Sequence, residues 1–247
     1  MSTDSASKLS PIVAAGFIAA LAAAVMVGGA GPAYRLKLLP LGSAFAVLQW
    51  GAWLGLGAAL VALIGGWVAR SAGRRRGFIL TSVGVVLGAV AFGIPFAMLQ
   101  GAKKLPPIHD ISTDTENPPR FVAILPLRAG TPNAVEYEGE AIAKQQHAAY
   151  PDIQPLDRTE LPDAAYQRAL TAARDLGWEV VAAVPNEGRI EATDTTSWFG
   201  FKDDIVVRVA PAARGSRIDV RSVSRLGTGD LGKNAERVRE YLQRVKQ

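Results

Sequence analysis

LPPIHDISTDTENPPR, residues 105–120, divides this chain into two unlike halves. Two prolines open the stretch, two close it, and seven short polar side chains fall between positions 110 and 117. Long apolar runs precede it, and alternating apolar and charged residues follow. A flexible tether would be richer in Gly and Ser. The stretch therefore reads as an ordered juxtamembrane strap, stiff at both ends and laid across the sheet of the domain that follows.

Upstream, residues 11–30, 41–69 and 77–99 contain no charged side chain. About 20 apolar residues suffice to cross the hydrocarbon core, so residues 1–104 are expected to form a membrane domain of three spans. Gly51 and Gly55, and Gly84 and Gly88, stand four apart, a spacing that lets helix backbones approach closely in lipid. A transporter calls for intramembrane charges or paired broken helices. No Asp, Glu, Lys, Arg or His lies in any run and only Pro95 hints at a break, which favours an anchor. The first run has a second reading as a cleaved signal peptide, because Lys8 precedes it and Gly28-Gly29-Ala30 resembles a cleavage site.

Charge sets the orientation and removes one class of function. Residues 1–104 carry nine basic side chains against Asp4, whereas residues 105–247 are net −3. The basic excess thus belongs to the apolar half, and a nucleic-acid partner, which needs it on the folded domain, is not expected. Arg70, Arg74, Arg75 and Arg76 crowd the loop between the second and third runs, and such loops stay in the cytoplasm. Arg35, Lys37, Lys103 and Lys104 fall on the other side, so density of charge decides more than number. The expectation is a multi-pass protein of the cell (inner) membrane, its amino terminus cytoplasmic and its carboxyl-terminal domain extracytoplasmic. With no cysteine, disulfides and thiolate chemistry are excluded.

Residues 121–247 read as an α+β domain. Residues 121–127 suggest an edge strand, 139–150 a helix ended by Pro151, and 161–176 a stronger helix with the stripe Leu161, Ala165, Ala169, Ala173, Leu176 and Gly177 as its stop. Four turn-bounded β patterns follow at 178–184, 189–195, 204–210 and 217–224. Their short connections require antiparallel neighbours. Leu231, Ala235, Val238, Leu242 and Val245 then recur at helical spacing. The sum is a two-layer sandwich, a four- or five-stranded antiparallel sheet with two to three helices on one face.

Three motifs carry a family resemblance: IHDISTDTENPP at 108–119, WFGFKDD at 198–204, and DVRSVSR at 219–225 leading into Asp230, Gly232, Asn234 and Ala235. Together they resemble the bacterial and plastid family called domain of unknown function 1499, over about residues 105–247. The resemblance implies that the three motifs belong together; it implies no activity.

Candidate ligand-binding residues come from two places. The sheet face opposite the apolar one carries Glu191, Thr193 and Thr195 on one strand, Arg208 on the next, and Arg217, Asp219, Arg221 and Arg225 on the last, and Asp204 of the second motif is a further candidate. The bland reading is a solvated, salt-bridged face. The sharper one is an anion or carboxylate site on Arg208, Arg221 and Arg225, since guanidinium forks suit such ligands. The strap competes for the same face with Asp110, Thr113, Asp114 and Thr115, and the third motif adds Asp230 and Asn234. Asp110 and Asp114 are weak candidates for a metal or an acid and base pair beside His109, and turn-fixing is the commoner use of such residues. Trp198, Phe199 and Phe201 are candidates for core packing or for contact with lipid or an apolar ligand.

No nucleophile elbow, phosphate loop or dinucleotide fingerprint is present. No cofactor is expected. The sequence points to a membrane-anchored extracytoplasmic module that binds an envelope component or a small anionic ligand and is not an enzyme. A metal- or carboxylate-dependent hydrolase using Asp110, Asp114 or Asp204 is the rival, and a lipid-contacting domain is the third reading.

Overall fold

The computed structural model describes residues 9–247. Lys8, on which the signal-peptide reading leans, lies outside them. The chain forms two compact units: the residues up to Gly101 together with Trp198–Gly200, and Ala102–Ser197 with Phe201–Gln247.

The first unit holds α1 (Pro11–Arg35), α2 (Leu41–Ser71) and α3 (Arg75–Ala102), each long and apolar enough to cross a membrane. Small residues bring the helices together. A Cβ on Gly88 would collide with the Gly55 carbonyl and the Ala59 backbone, and one on Gly51 would meet Met26 and Val27. Thr81 returns its hydroxyl to the carbonyls of Gly77 and Phe78 at 3.0 and 2.9 Å, so it lies buried against Gly65 and Gly66 without an unmet donor.

The second unit is α+β. Strands β1 (Asp110–Ser112), β2 (Leu156–Arg158), β3 (Glu179–Val184), β4 (Arg189–Thr195), β5 (Lys202–Ala212) and β6 (Gly215–Ser224) form one antiparallel sheet in the order β1-β6-β5-β4-β3. β2 also pairs with β6, further along the edge that β1 covers. These two three-residue strands exceed the four or five expected, because each is too short to show an alternation. The β4 register places Ile190 opposite Val207 and Ala192 opposite Ile205, and Val207 in turn faces Val220. That face packs on α5 (Pro162–Asp175) and α6 (Lys233–Lys246) through Ala165, Ala169, Ala173, Val238 and Val245, all buried. Tyr241 stacks on Trp178 at 4.9 Å and donates its hydroxyl hydrogen to the Ala169 carbonyl. Helix α4 (Glu140–Ala149) closes the β1 edge: its buried Gln146 accepts from the Ser112 N–H at 2.9 Å and donates to the Ser112 carbonyl at 2.7 Å, as another strand would.

Three expectations are corrected. Residues 121–127 form no strand; they make turns leading into a 3₁₀ turn at Leu125–Arg128, because Pro126 fits its start and the preceding N–H groups are taken by a side chain instead of a ladder. Leu161 and Leu231 do not join the core stripes of their helices. Both are exposed, Leu161 as the residue before α5 and Leu231 in a left-handed conformation before α6.

Candidate functional site

The sheet face opposite α5 and α6 is salt-bridged, as its alternation requires, but it is not solvated. Residues 113–137 lie over it. Phe121 and Ile124 from this roof pack on Val206 and Val223. The ionic groups of the face are thereby removed from water: Glu191 and Asp204 are fully buried and Asp219 nearly so.

Burial of charge on this scale requires pairing, and three clusters supply it. At the β1 edge, Arg221 grips Asp110 through two bonds of 2.9 and 2.6 Å and donates also to the carbonyls of Pro119 and Val135. Its guanidinium lies 5.4 Å from the ring centres of both Phe121 and Tyr137. Burial pushes the Asp110 carboxyl above the ordinary carboxylate range, and the Arg221 bonds only partly oppose it. Burial likewise pushes the Tyr137 phenol up to about 12, with the Asp110 charge adding to the effect, and among the described residues its hydroxyl meets no hydrogen-bond partner.

The second cluster centres on Asp204. Arg225 forms a two-pronged bridge to it, both bonds 2.8 Å, while Arg128 of the roof and the Thr193 hydroxyl donate at 2.8 and 2.7 Å. Burial raises this carboxyl, but the bonds from Arg225, Thr193 and Arg128 outweigh it and the net shift is downward. Arg128 continues to the carbonyls of Asn133, Val223 and Ser224, and Arg225 to that of Leu127, so these side chains stitch roof to sheet. Next to this cluster, Glu191 accepts the N–H groups of Val122, Ala123 and Ile124 at 2.9 to 3.1 Å and pairs with Arg189.

The third cluster is the only one of these with open guanidinium groups. Arg208 and Arg217 share Asp114 and Asp219, at 2.8 Å for both Arg208 bridges and 3.2 Å for both Arg217 bridges. Their side chains stay 27% and 40% exposed, against 3% for Arg221. Asp114 is itself a turn-fixer, accepting from the N–H groups of Glu116 and Asn117. Burial acts to raise its pKa, yet the Asn117 and Arg208 bonds bring it below the ordinary range. Thr113 reaches Asp219 and exchanges bonds with Val220, and Thr115 meets the His147 ring at 3.1 Å.

The remaining candidates fall elsewhere. Asp230 caps α6, accepting from the N–H groups of Gly232 and Asn234; burial raises its carboxyl despite those bonds. Asn234 is buried and ties the helix to the His109 carbonyl, Ser222 and Ser224, beside Arg237, which bridges Asp194 and Asp203. Trp198 and Phe199 belong to the first unit, where Phe199 is buried against Tyr34 and Phe45. Phe201 is half-buried in a turn closed by the Thr196 hydroxyl and backbone. Among the described residues no three His, Asp or Glu side chains converge as metal ligands would.

Sequence reading did not find Arg128, Glu191, Gln146 or Tyr137 as organisers of the face. Glu191 had a signal, an acid on the charged face of a strand otherwise lined there by Thr193 and Thr195; Arg128, alone in an apolar turn, had none.

Fold and site thus define an α+β domain with one helix-covered sheet face and one roofed, ion-paired face, preceded by three helices of membrane-spanning length. The family described as protein of unknown function (DUF1499) matches residues 110–245, and the chain belongs to it. No curated protein matches the chain, and no solved structure does.

Proposed function

We propose that this protein is a membrane-anchored extracytoplasmic module that binds an anionic group, such as a phosphate or carboxylate of an envelope component, at the rim of its roofed face. One observation supports the reading above the others. Arg208 and Arg217 are held side by side at the rim and remain partly open to water, whereas Arg128, Arg221 and Arg225 are turned inward. Arg208 donates to the Asn117 carbonyl as well as to the two acids, so the free donor directions are chiefly those of Arg217; these suit the oxygens of an anion, and the shared carboxylates preset their geometry. The density of arginine between α2 and α3 supports a cytoplasmic loop there, hence an extracytoplasmic domain.

Two experiments test the reading. Alkaline phosphatase fused after Gln247 is active, and a reporter that works only in the cytoplasm is silent there; the reverse pattern overturns the orientation. Inorganic phosphate and citrate raise the thermal midpoint of the full chain in detergent, and Arg217→Ala removes the effect. No stabilisation of the native chain by either anion overturns the rim site.

A further inference from the structure

The two ends of the sheet differ in surface chemistry. At one end lie the start of β1, the end of β4, the start of β5 and the end of β6, as the pairs Asp110 with Val223, Asp203 with Ser224 and Thr195 with Lys202 require. The roof's 3₁₀ turn is fastened to this end, because Arg225 donates to the Leu127 carbonyl and the Asn133 N–H bonds to the Arg225 carbonyl. Helix α6 begins here as well. Leu125, Leu127 and Leu231 sit here about half-exposed, three of the five large apolar side chains that the domain exposes. Val122 is held over the middle of the sheet by Glu191, and Leu161 precedes α5 near the opposite end, close to the pairing of Arg158 with Ser216. Apart from Leu161, the opposite end, with the β3–β4 and β5–β6 connections, exposes polar side chains such as Asn186, Glu187 and Arg214.

Leu231 adds an independent sign. Its backbone has φ 57°, a conformation that few residues other than glycine adopt, and Gly232 follows at φ 79°. The Asp230 carboxylate fixes this loop through the N–H groups of Gly232 and Asn234. The local strain holds a leucine outward at a helix start, where a polar residue is the usual choice.

Chain connectivity says what this end meets. Helix α3 ends at Ala102, and Leu105 is already packed against the domain core, with Pro107 in contact range of a Cβ placed on Gly229. Only Lys103 and Lys104 intervene, and three steps of chain span at most about 11 Å. An end tied that closely to a membrane helix stays within the interfacial zone of the bilayer. Lys103, Lys104 and Lys202, all exposed, supply positive charge beside the apolar side chains, the pairing that interfacial segments use with anionic lipid.

We propose that this end of the domain is a bilayer-contacting surface, with Leu125, Leu127 and Leu231 resting among lipid headgroups. It rests on the anchor reading of α1–α3 and is independent of any ligand at the Arg208–Arg217 rim.

The chain has no cysteine, so single substitutions can be labelled cleanly. The full protein is placed in nanodiscs of phosphatidylcholine and phosphatidylglycerol, with an environment-sensitive fluorophore on Leu125→Cys, Leu127→Cys, Leu231→Cys, Arg214→Cys or Leu60→Cys. Nitroxide-bearing lipids quench the labels at 125, 127 and 231 strongly, aqueous iodide quenches them weakly, and the label at 214 behaves in the opposite way. Labels at 125, 127 and 231 that match the label at 214 overturn the proposal. Labels shielded from iodide but untouched by lipid nitroxide also overturn it, in favour of a protein surface. Leu60 is an exposed residue of α2, and failure of its label to be quenched by lipid overturns the anchor reading itself, a result distinct from the other two.

Discussion

Replacing Arg221 with Ala tests the roofed face most severely. The substitution removes both bonds to Asp110, the bonds to the Pro119 and Val135 carbonyls, and the cation packed beside Phe121 and Tyr137. What remains is a carboxylate only 3% exposed with no counter-charge at bonding distance. Removing one member of a buried pair costs about 3–5 kcal/mol, most of it the stranded charge. Each 1.4 kcal/mol is tenfold in an opening equilibrium, so amide exchange in β6 should accelerate roughly a hundred- to several-thousand-fold, measured by mass spectrometry on the full chain in detergent. The pH dependence has a definite sign. Asp110 already has a folded pKa above its unfolded value, and loss of Arg221 raises it further. A raised carboxyl weighs against the fold above its folded pKa, and that penalty vanishes below the unfolded value near 4. The variant should therefore regain protection as the pH falls through the raised pKa toward about 4. Asp110→Leu combined with Arg221→Met should restore most of the loss, since an apolar pair of similar shape avoids the unpaired charge. If Arg221→Ala changes protection by less than about 1 kcal/mol, as an exposed pair would, the face is not sealed.

Other outcomes follow from the same contacts. Glu191→Ala should release the N–H groups of Val122, Ala123 and Ile124, each bond to a charged group being worth about 1.5–3 kcal/mol, and their amides should exchange freely while α5 stays protected. Gly188→Ala places a Cβ against the Val209 carbonyl at φ 60° and should lower stability by at least about 1 kcal/mol, read as a lower thermal midpoint. Asp204 is depressed in the fold, so its contribution is complete above the unfolded value near 4 and fades as the pH falls through its folded pKa. Arg225→Ala should lower stability at neutral pH and flatten that acid limb of the unfolding profile. Gly88→Leu should prevent close approach of α2 and α3, seen as loss of crosslinking between cysteines placed on the two helices.

Much of the architecture was legible because its signals are long. Three uncharged runs mark α1–α3, and period-two alternation over β4, β5 and β6 separates Ile190, Ile205, Val207 and Val220 from Glu191, Asp204, Arg208 and Arg221. What stayed hidden depends on partners distant in sequence. β1 and β2 are three residues each, too short for periodicity, and exist because β6 offers them an edge. The segment around Phe121 looks like a strand by composition, but Glu191, nearly seventy positions away, takes its N–H groups. The acids of 105–120 were visible as turn-formers or ligands; that Asp110 joins a ladder and clamps Arg221 while Asp114 serves two arginines follows only from the tertiary register. Leu231 reads as the first residue of a helix stripe because spacing cannot report a left-handed backbone.

Accessibility of single cysteines across the membrane tests the central proposal, an extracytoplasmic domain carried on three spans, most directly. In intact spheroplasts a membrane-impermeant maleimide should label Arg214→Cys in the β5–β6 connection and leave Arg74→Cys, between α2 and α3, unmodified until the cells are lysed. Labelling of Arg74→Cys with protection of Arg214→Cys would contradict it.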